Sequence, residues 1–304
     1  MPAVPVRIVT DSSAHFLNPN AMRDFGIEVL PLEIQLGGVT YREGKDIDSE
    51  QYFRKLQSYT GSELPSLLPP SVEKITELYA RLCGEGSPVI SLHLSRAIHP
   101  MFHQAQLARQ ELLGRCDIEV VDSQTTSVML GIMVEEAARM AQQGSPAAEI
   151  IRFVRSLVPR LYTMFYAETL SYLQRGGLLS ESQTVLGAML GIKPFLTIED
   201  GDLQAVEKVR TRAQAIDKLV EFAAEFENVE RSCILYSSNI PPETLRSLTD
   251  RLEEEIGAGS YPVQLYQPSL ASLIGPDALG IVVYERLDED FGKLGDSYID
   301  DSES

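Results

Sequence analysis

Residues 89–126 read VISLHLSRAIHPMFHQAQLARQELLGRCDIEVVDSQTT, and this stretch decides the fold class. The apolar run Val89–Leu94 predicts a strand, Phe102–Leu113 has helical spacing, and Ile118–Val121 predicts a second strand. Two strands joined by a helix of this length form a parallel pair, because the helix returns the chain to the starting end of the sheet. The stretch therefore predicts an α/β fold with a parallel sheet and flanking helices.

The same alternation continues on both sides of this stretch. Val6–Val9 and Ile27–Leu36 predict strands, while Val72–Cys83 and Val128–Ala141 have the apolar spacing of helices. Alternating strands and helices favour a doubly wound arrangement in which helices cover both faces of the sheet. We therefore assign residues 1–158 to an N-terminal α/β domain.

The second half of the chain has a different pattern. Two β-type runs, Ile192–Ile198 and Leu203–Val209, flank Asp200-Gly201, and an Asp-Gly pair in this position is a strong hairpin signal. Further predicted elements are the strands Tyr162–Tyr166, Cys233–Tyr236, Val263–Tyr266 and Gly280–Tyr284 and the helices Ala213–Phe226 and Pro242–Ile256. Residues 159–287 are predicted to form a C-terminal α/β domain with a mixed or antiparallel sheet. Residues 288–304 carry seven acids and one lysine, which predicts a frayed, solvated tail.

Composition excludes several classes of protein. The 304 residues carry a formal net charge of −18, which disfavours binding to nucleic acids and to anionic lipid surfaces. No apolar run approaches the roughly 20 residues that span a bilayer, so stable membrane insertion is not expected. The N-terminus lacks an export signal, and Cys83, Cys116 and Cys233 lack the spacing of a zinc site. We therefore expect a cytoplasmic protein without a metal or disulfides.

Hydroxyl side chains follow three of the predicted parallel strands. They lie in Thr10–Ser13, at Ser91 and Ser95, and in Asp122–Thr126. Ligands of open α/β sheets bind outside the carboxyl ends of the strands, and hydroxyls beside helix N-termini suit a carboxylate or phosphate. The same residues are also ordinary helix N-caps, so the pattern leaves both interpretations open.

Catalytic signatures are mostly missing from the sequence. It contains no G-x-G-x-x-G after the first strand, no phosphate-binding G-x-x-x-x-G-K-[ST] and no G-x-S-x-G. His99 and His103 are four residues apart, but Pro100 lies between them and no H-E-x-x-H pattern is present. The sequence therefore predicts no zinc site.

Several short motifs follow one another along the chain. They are Thr10–Ser13, Gly38–Tyr41, Asp46-Ile47, Ser95, Val121–Ser123, Leu170–Gly177, Ile192–Pro194, Asp200-Gly201, Lys208–Thr211, Gly275-Pro276 and Ala278–Gly280. Taken in order, these motifs resemble those of the DegV family of bacterial fatty-acid-binding proteins, which includes the FakB subunit of fatty acid kinase. The resemblance covers Val9 to about Val283.

This resemblance implies a two-domain protein that holds one long-chain fatty acid, such as palmitate, stearate or oleate. The acyl chain would lie in an apolar tunnel, for which Met129–Val134 and Val185–Ile192 are candidate linings, and the carboxylate at the interdomain cleft. The protein would do no chemistry alone and would present the carboxylate to a separate fatty acid kinase. Ser95 matches the family's carboxylate-binding serine. The other implied lipid-binding positions are Thr10, Leu67, Ser71, His99, Ser123, Thr125 and Leu273, and Lys208 and Arg210 match a partner-docking stretch.

Four positions depart from the family pattern. Leu67, Leu178 and Leu273 replace a threonine, an arginine and a histidine, and Ile98–Met101 replaces L-S-G-T. A lost hydrogen bond costs about 1 kcal/mol, or about 1.5–3 kcal/mol when it involves a charge. Each buried CH₂ of an acyl chain contributes about 0.8 kcal/mol, so many methylenes outweigh several lost contacts. We expect fatty-acid binding to be retained and coupling to a kinase to be weakened.

Two other classes of function remain open from the residues themselves. One is an enzyme that acts on a small anion in the hydroxyl-lined cleft, with His99 or Asp122 as the nearest base. The other is a regulatory protein-interaction module that uses the acidic tail. A fatty acid that copurifies with the protein separates the first interpretation from these two.

Overall fold

The structure is a computed structural model that describes residues 5–84, 86–168, 170–177, 179, 182, 187–257 and 261–286. Its strands are β1 (Arg7–Asp11), β2 (Glu28–Leu30), β3 (Glu33–Leu36), β4 (Val39–Arg42), β5 (Ser66–Leu68), β6 (Val89–His93), β7 (Ile118–Asp122), β8 (Leu161–Ala167), β9 (Lys193–Glu199), β10 (Asp202–Val209), β11 (Val229–Tyr236), β12 (Val263–Leu265) and β13 (Ala278–Glu285). The described helices are α1 (Ala21–Phe25), α2 (Ser49–Ser58), α3 (Val72–Cys83), α4 (Met101–Glu111), α5 (Ser127–Gln142), α6 (Ala147–Leu157), α7 (Ser171–Arg175), α8 (Arg212–Ala224), α9 (Pro242–Ile256) and α10 (Pro268–Ile274).

The N-terminal half contains the predicted parallel sheet. Its strand order is β2-β1-β6-β7, and every neighbouring pair is parallel. All five residues of β6 are buried, as expected for a central strand covered on both faces. The carboxyl ends of β1, β6 and β7 therefore meet at one edge, which brings together the segments after Asp11, His93 and Asp122.

The single strand predicted for Ile27–Leu36 is wrong. The chain forms β2 in the parallel sheet, breaks at Pro31, and continues as β3 in a separate antiparallel sheet of order β4-β3-β5. Proline has no N–H to donate to a ladder, so it ends a strand at this kind of position. Gly37 and Gly38 then close a two-residue hairpin with φ of 59° and 75°, which glycine adopts without strain.

The C-terminal half contains a six-stranded sheet of order β10-β9-β8-β13-β11-β12. Its pairs are antiparallel except β11 with β12, which confirms the predicted mixed sheet. The predicted hairpin is also confirmed, because Asp200 and Gly201 have φ of 51° and 86° between β9 and β10. Residues of α8 and α9 share a separate apolar cluster with one face of this sheet.

The parallel sheet and the six-stranded sheet share a continuous apolar core in which α5 is central. Helix α5 contacts both β1 and β13, and most of its residues are buried, including Met129–Val134. A Cβ added at Gly131 would lie 2.1 Å from the carbonyl oxygen of His15, so only glycine fits there. The division at residue 158 stays a prediction, and it falls in the single-turn 3-10 helix Val158–Arg160 between α6 and β8. The predicted acidic tail at 288–304 and Leu178 lie outside the described residues, as does part of Val185–Ile192.

None of the described helices combines the length and apolar character that a bilayer crossing requires. Over the same residues, histidine, cysteine and carboxylate side chains form no group of three suited to a metal ion.

Candidate functional site

Strand β1 ends at Asp11, a fully buried carboxylate that accepts four hydrogen bonds. Ser13 supplies two of them, from its backbone N–H at 3.0 Å and its hydroxyl at 2.5 Å. The neighbouring strand supplies the others, from His93 Nδ1 at 3.0 Å and the Leu94 N–H at 3.1 Å. Burial raises the pKa of Asp11, but hydrogen bonds from His93, Ser13 and Leu94 outweigh it and hold that pKa below its ordinary value. An ionised Asp11 thus ties together the ends of β1 and β6.

A line of buried hydrogen bonds continues from Asp11 into the sheet. The Tyr79 hydroxyl donates to Ser91 Oγ at 2.7 Å, and Ser91 Oγ lies 2.7 Å from His93 Nε2. Because Ser91 has one proton and accepts from Tyr79, it donates to Nε2 and leaves the Nδ1 proton for Asp11. Ser91 and His93 are two residues apart on β6, so their side chains lie on one face of the strand. Both are structural groups that orient Asp11.

A second buried carboxyl, Glu43, links the two halves of the chain. Its Oε2 lies 2.6 Å from the Ser12 hydroxyl, and its Oε1 accepts from the Ser269 N–H at 2.7 Å in the first turn of α10. Ser12 Oγ in turn accepts from the Leu32 N–H at 2.9 Å. Burial raises the pKa of Glu43 to about 7, against the opposing effect of the bonds from Ser12 and Ser269. The charge state of Glu43 therefore changes near neutral pH.

Ser95, the predicted carboxylate-binding serine, contacts the C-terminal hairpin. Its buried hydroxyl donates to the carbonyl oxygen of Gly201 at 2.7 Å and accepts from the Ala97 N–H at 3.3 Å. The Ser95 N–H donates to the carbonyl oxygen of Thr125 at 2.8 Å. Ser95 therefore lies where loops after β6 and β7 meet the turn between β9 and β10.

Two donors lie along the outer edge of β5. His99 accepts from the Met101 N–H at its Nδ1, 3.2 Å away, so its Nε2–H donates to the carbonyl oxygen of Leu67, also at 3.2 Å. The Arg175 guanidinium donates to the carbonyl oxygen of Pro65. Carbonyls two residues apart in an extended chain point the same way, so both donors lie on one edge. Burial lowers the pKa of His99, although the charge of Asp11 and the bond to Leu67 oppose this, and the lowered pKa favours the neutral ring.

Apolar side chains from both halves of the chain meet at this edge. Leu67 on β5 and Leu273 on α10 are half-buried against the main core, and α10 contacts both β5 and α7. The Tyr52 hydroxyl lies 3.3 Å from Ser272 Oγ on the same helix. The structure therefore brings Leu67, His99 and Leu273 into one region.

Four other predicted binding residues lie in different surroundings. Ser71 is exposed and caps α3 by accepting from the Lys74 N–H at 3.5 Å, which favours its capping interpretation. The Ser123 hydroxyl donates to the Thr125 carbonyl oxygen at 3.1 Å and accepts from the Thr125 N–H at 3.2 Å, and the Thr125 hydroxyl donates to Met129 Sδ at 3.3 Å. Thr10 is fully buried, and its hydroxyl has no partner within the described part of the chain.

A cleft of about 1340 Å³ lies between β7 and the sheet formed by β8, β9 and β10. Apolar side chains such as Phe102, Leu161, Met164 and Phe222 line it. Its charged lining consists of Glu119, Asp122, Glu199, Asp200, Glu207 and Glu225 with Arg96 and Arg155. Because carboxylates outnumber arginines, this cleft disfavours an anionic head group. The edge of β5 offers a more suitable electrostatic environment.

The comparison with known protein families covers almost the whole described chain. Residues 5–286 match the DegV family, which is described as a family of uncharacterised proteins. The chain belongs to the DegV family. A DegV domain-containing protein of Streptomyces coelicolor is 32% identical over 286 residues, which cover 92% of this chain and 99% of that protein.

Solved structures of DegV-family proteins share the fold of this one. A Thermus thermophilus structure, described as showing fatty acid binding, has 28% identity and a TM-score of 0.79, and covers 93% of this chain and 100% of its own. A fatty-acid-binding DegV-family protein from Streptococcus agalactiae has 25% identity and a TM-score of 0.82, and the match covers 94% of this chain and 100% of that protein. The two-domain α/β architecture predicted from the resemblance is therefore confirmed.

Sequence reasoning missed Glu43 and Arg175 in this DegV-family protein. Glu43 follows a short edge strand, and its partner Ser269 is 226 residues away. Arg175 lies in the quoted segment Leu170–Gly177, but its bonds to Pro65 and Ser272 cross 110 and 97 residues. A charged residue beside a Gly-Gly pair was the only local signal for Arg175.

Proposed function

We propose that this DegV-family protein binds one long-chain fatty acid between its two sheets, with the carboxylate at the outer edge of β5. The observation that carries this proposal is the meeting of Leu67 and Leu273, from opposite halves of the chain, beside the donors His99 and Arg175. The apolar segment Met129–Val134 lies between the sheets and supplies the kind of surface that an acyl chain requires. The fatty acids in the related Thermus and Streptococcus proteins support the same ligand class.

The two candidate bases favour a binding protein over an enzyme. Both ring nitrogens of His99 are occupied by backbone groups, so neither is available to take a proton from a substrate. Asp122 lies 3.3 Å from Arg96 and accepts from the backbone N–H groups of Arg96 and Gln124. These contacts support a carrier that has no chemistry of its own.

Organic extraction of the protein purified from a bacterial host is expected to release a C16–C18 fatty acid at a substantial fraction of one per chain. Each buried CH₂ group of the acyl chain contributes about 0.8 kcal/mol to binding, so a ligand of this length stays bound through purification. Native mass spectrometry should show the matching added mass, which disappears after delipidation. If extraction yields no lipid and delipidated protein does not bind labelled palmitate, the proposed function is wrong.

Ser95→Ala is expected to weaken palmitate binding by roughly tenfold or more, because we propose that the hydroxyl turns from Gly201 to the carboxylate when the ligand enters. Ser237→Ala is the matched control. Ser237 is also buried, donates to the carbonyl of Pro276 and accepts from the N–H two residues later. Both variants should lose about 1 kcal/mol of stability, and only Ser95→Ala should lose affinity. Equal palmitate affinities in the two variants would assign Ser95 a structural role alone.

Presentation of the carboxylate to a fatty acid kinase is the finer part of the proposal. Lys208 and Arg210 are exposed on either side of buried Val209, on the hairpin whose turn contacts Ser95. Lys208 lies roughly 20 Å from that turn at about 3.3 Å per residue along β10. A kinase that docks on this basic pair would therefore need to extend along the hairpin to reach the carboxylate.

A further inference from the structure

Arg175, the last residue of α7, bridges the two halves of the proposed head-group region. Its guanidinium donates to the carbonyl oxygens of Pro65 and Ser272, and it lies over the ring of Tyr172, 5.3 Å from the centroid. Pro65 precedes Leu67 by two residues, and Ser272 directly precedes Leu273. The guanidinium therefore joins the two segments that carry Leu67 and Leu273.

The partners of Arg175 differ from those of other cations around the junction. Arg96 pairs with Asp122 at 3.3 Å, and both Arg212 and Lys193 pair with Glu168, at 2.5 and 3.4 Å. Within the described residues, the hydrogen bonds of Arg175 go to two neutral carbonyl oxygens. Burial lowers the pKa of Arg175, although the nearby phenols of Tyr172 and Tyr52 oppose this. A carboxylate would therefore gain a charged partner here without displacing an existing ion pair.

The accessibility of Arg175 fits a head group that enters from solvent. The residue as a whole is exposed, while the Tyr172 ring beneath it is 4% exposed. An anion can thus reach the guanidinium while its hydrocarbon end points toward the core around Leu67 and Leu273. A guanidinium binds a carboxylate through two parallel N–H···O bonds, which are stronger than its bonds to neutral carbonyls.

We propose that Arg175 is the cation that binds the fatty-acid carboxylate, exchanging its bonds to Pro65 and Ser272 for the two carboxylate oxygens. This inference rests on the proposed function and names the group that makes the site selective for an acid. Leu67 and Leu273 carry no charge, so Arg175 supplies the positive charge of this site. A neutral lipid of the same length would fill the apolar site and leave the guanidinium on its carbonyls.

The test compares palmitate with hexadecan-1-ol, which has the same chain and no charge, on delipidated full-length protein. The unmodified protein is expected to bind palmitate at least about tenfold more tightly than the alcohol. Arg175→Met should weaken palmitate binding by roughly ten- to a hundredfold and leave alcohol binding nearly unchanged. Arg175→Lys keeps the charge without the paired N–H donors, so it should retain part of the preference for palmitate.

Arg160→Met is the matched control. Arg160 also donates to a backbone carbonyl, that of Glu285 at 2.9 Å, and lies over a tyrosine ring, that of Tyr284 at 4.9 Å. Arg160 directly precedes β8, whereas α7 with Arg175 follows the other end of that strand. The Arg160→Met variant should therefore bind both ligands as the unmodified protein does.

Two results would overturn the inference. One is that the unmodified protein binds palmitate and hexadecan-1-ol equally well, and the other is that Arg175→Met lowers both affinities equally, which would give Arg175 only a positioning role. If Arg175→Met does not fold, the same two affinities are measured for Arg175→Lys. Weaker palmitate binding with an unchanged affinity for hexadecan-1-ol would then support the inference. Failure of the unmodified protein to bind either ligand would overturn the proposed function itself, and is distinguished from the other results by the absence of alcohol binding.

Discussion

Asp11→Ala is expected to lower the free energy of unfolding by about 3–5 kcal/mol, because it leaves four buried donor groups without their acceptor. The substitution removes the acceptor for two backbone N–H groups, the Ser13 hydroxyl and His93 Nδ1, and all of them belong to buried residues. Each buried donor left without a partner costs about 1–3 kcal/mol. Urea denaturation at neutral pH measures the loss directly.

Asp122→Ala supplies the control, because the two aspartates have the same local architecture. Each ends a parallel strand and accepts from the N–H two residues later, and each also accepts from a backbone N–H in the loop after β6. The Asp122 side chain is 14% exposed and its donors are near solvent, so its loss should cost about 1 kcal/mol. Equal losses in the two variants would contradict the role assigned to burial.

Asp11→Asn refines the same argument. The amide keeps the shape of the carboxylate but has one oxygen, so its NH₂ group faces the donors of either Ser13 or Leu94. His93 can adapt by changing tautomer, whereas a backbone N–H cannot. A loss smaller than that of Asp11→Ala is therefore expected. Because Leu94 precedes Ser95, both variants should also weaken palmitate binding.

The parallel sheet could be predicted because its signals are local. Each strand of this sheet lies in a short apolar run. These runs alternate with segments that have the apolar spacing of helices, and this alternation dictates parallel pairing. The hairpin at Asp200-Gly201 was equally visible, since both residues need a positive φ. The small sheet of β3, β4 and β5 was missed because Pro31 interrupts an apolar run that otherwise reads as one strand.

The head-group region was only partly accessible to sequence reasoning. The resemblance brought Leu67, His99 and Leu273 together, but the donors that face them could not be ranked from the sequence. A surface arginine such as Arg175 is ordinarily solvated, and only the fold shows that its partners are backbone carbonyls of two distant segments. Ser71 shows the opposite case, because a serine three residues before a helical N–H is first of all a cap.

The second large effect is expected at Glu43, whose titration should make the protein less stable as the pH rises. The pKa of Glu43 is raised from 4.5 to about 7 in the folded protein, mainly by burial. The folded state therefore holds the proton more tightly than the unfolded state, and this stabilisation is complete below about pH 4.5 and is lost as pH rises to 7. At about 1.36 kcal/mol per pKa unit, the loss amounts to about 3 kcal/mol.

Glu43→Gln removes this titration, so the comparison of unfolding free energies at about pH 5 and about pH 8.5 isolates it. The unmodified protein should lose about 2.5 kcal/mol relative to Glu43→Gln across this range, because about two pH units below the folded-state pKa lie within it and all other groups are common to both proteins. Asp11 does not contribute in this window, because its lowered pKa places its titration below 3.8.

Glu168→Gln serves as the control for removal of a carboxylate as such. Burial raises the pKa of Glu168, but bonds and charges from Arg212 and Lys193 outweigh it and hold that pKa below its ordinary value. Its variant should lose stability by the same amount at both pH values, without a change in slope. A parallel pH dependence of Glu43→Gln and the unmodified protein would show that Glu43 is ionised throughout. In that case the bonds from Ser12 and Ser269 outweigh burial, and the junction between the two halves is held by a permanent charge.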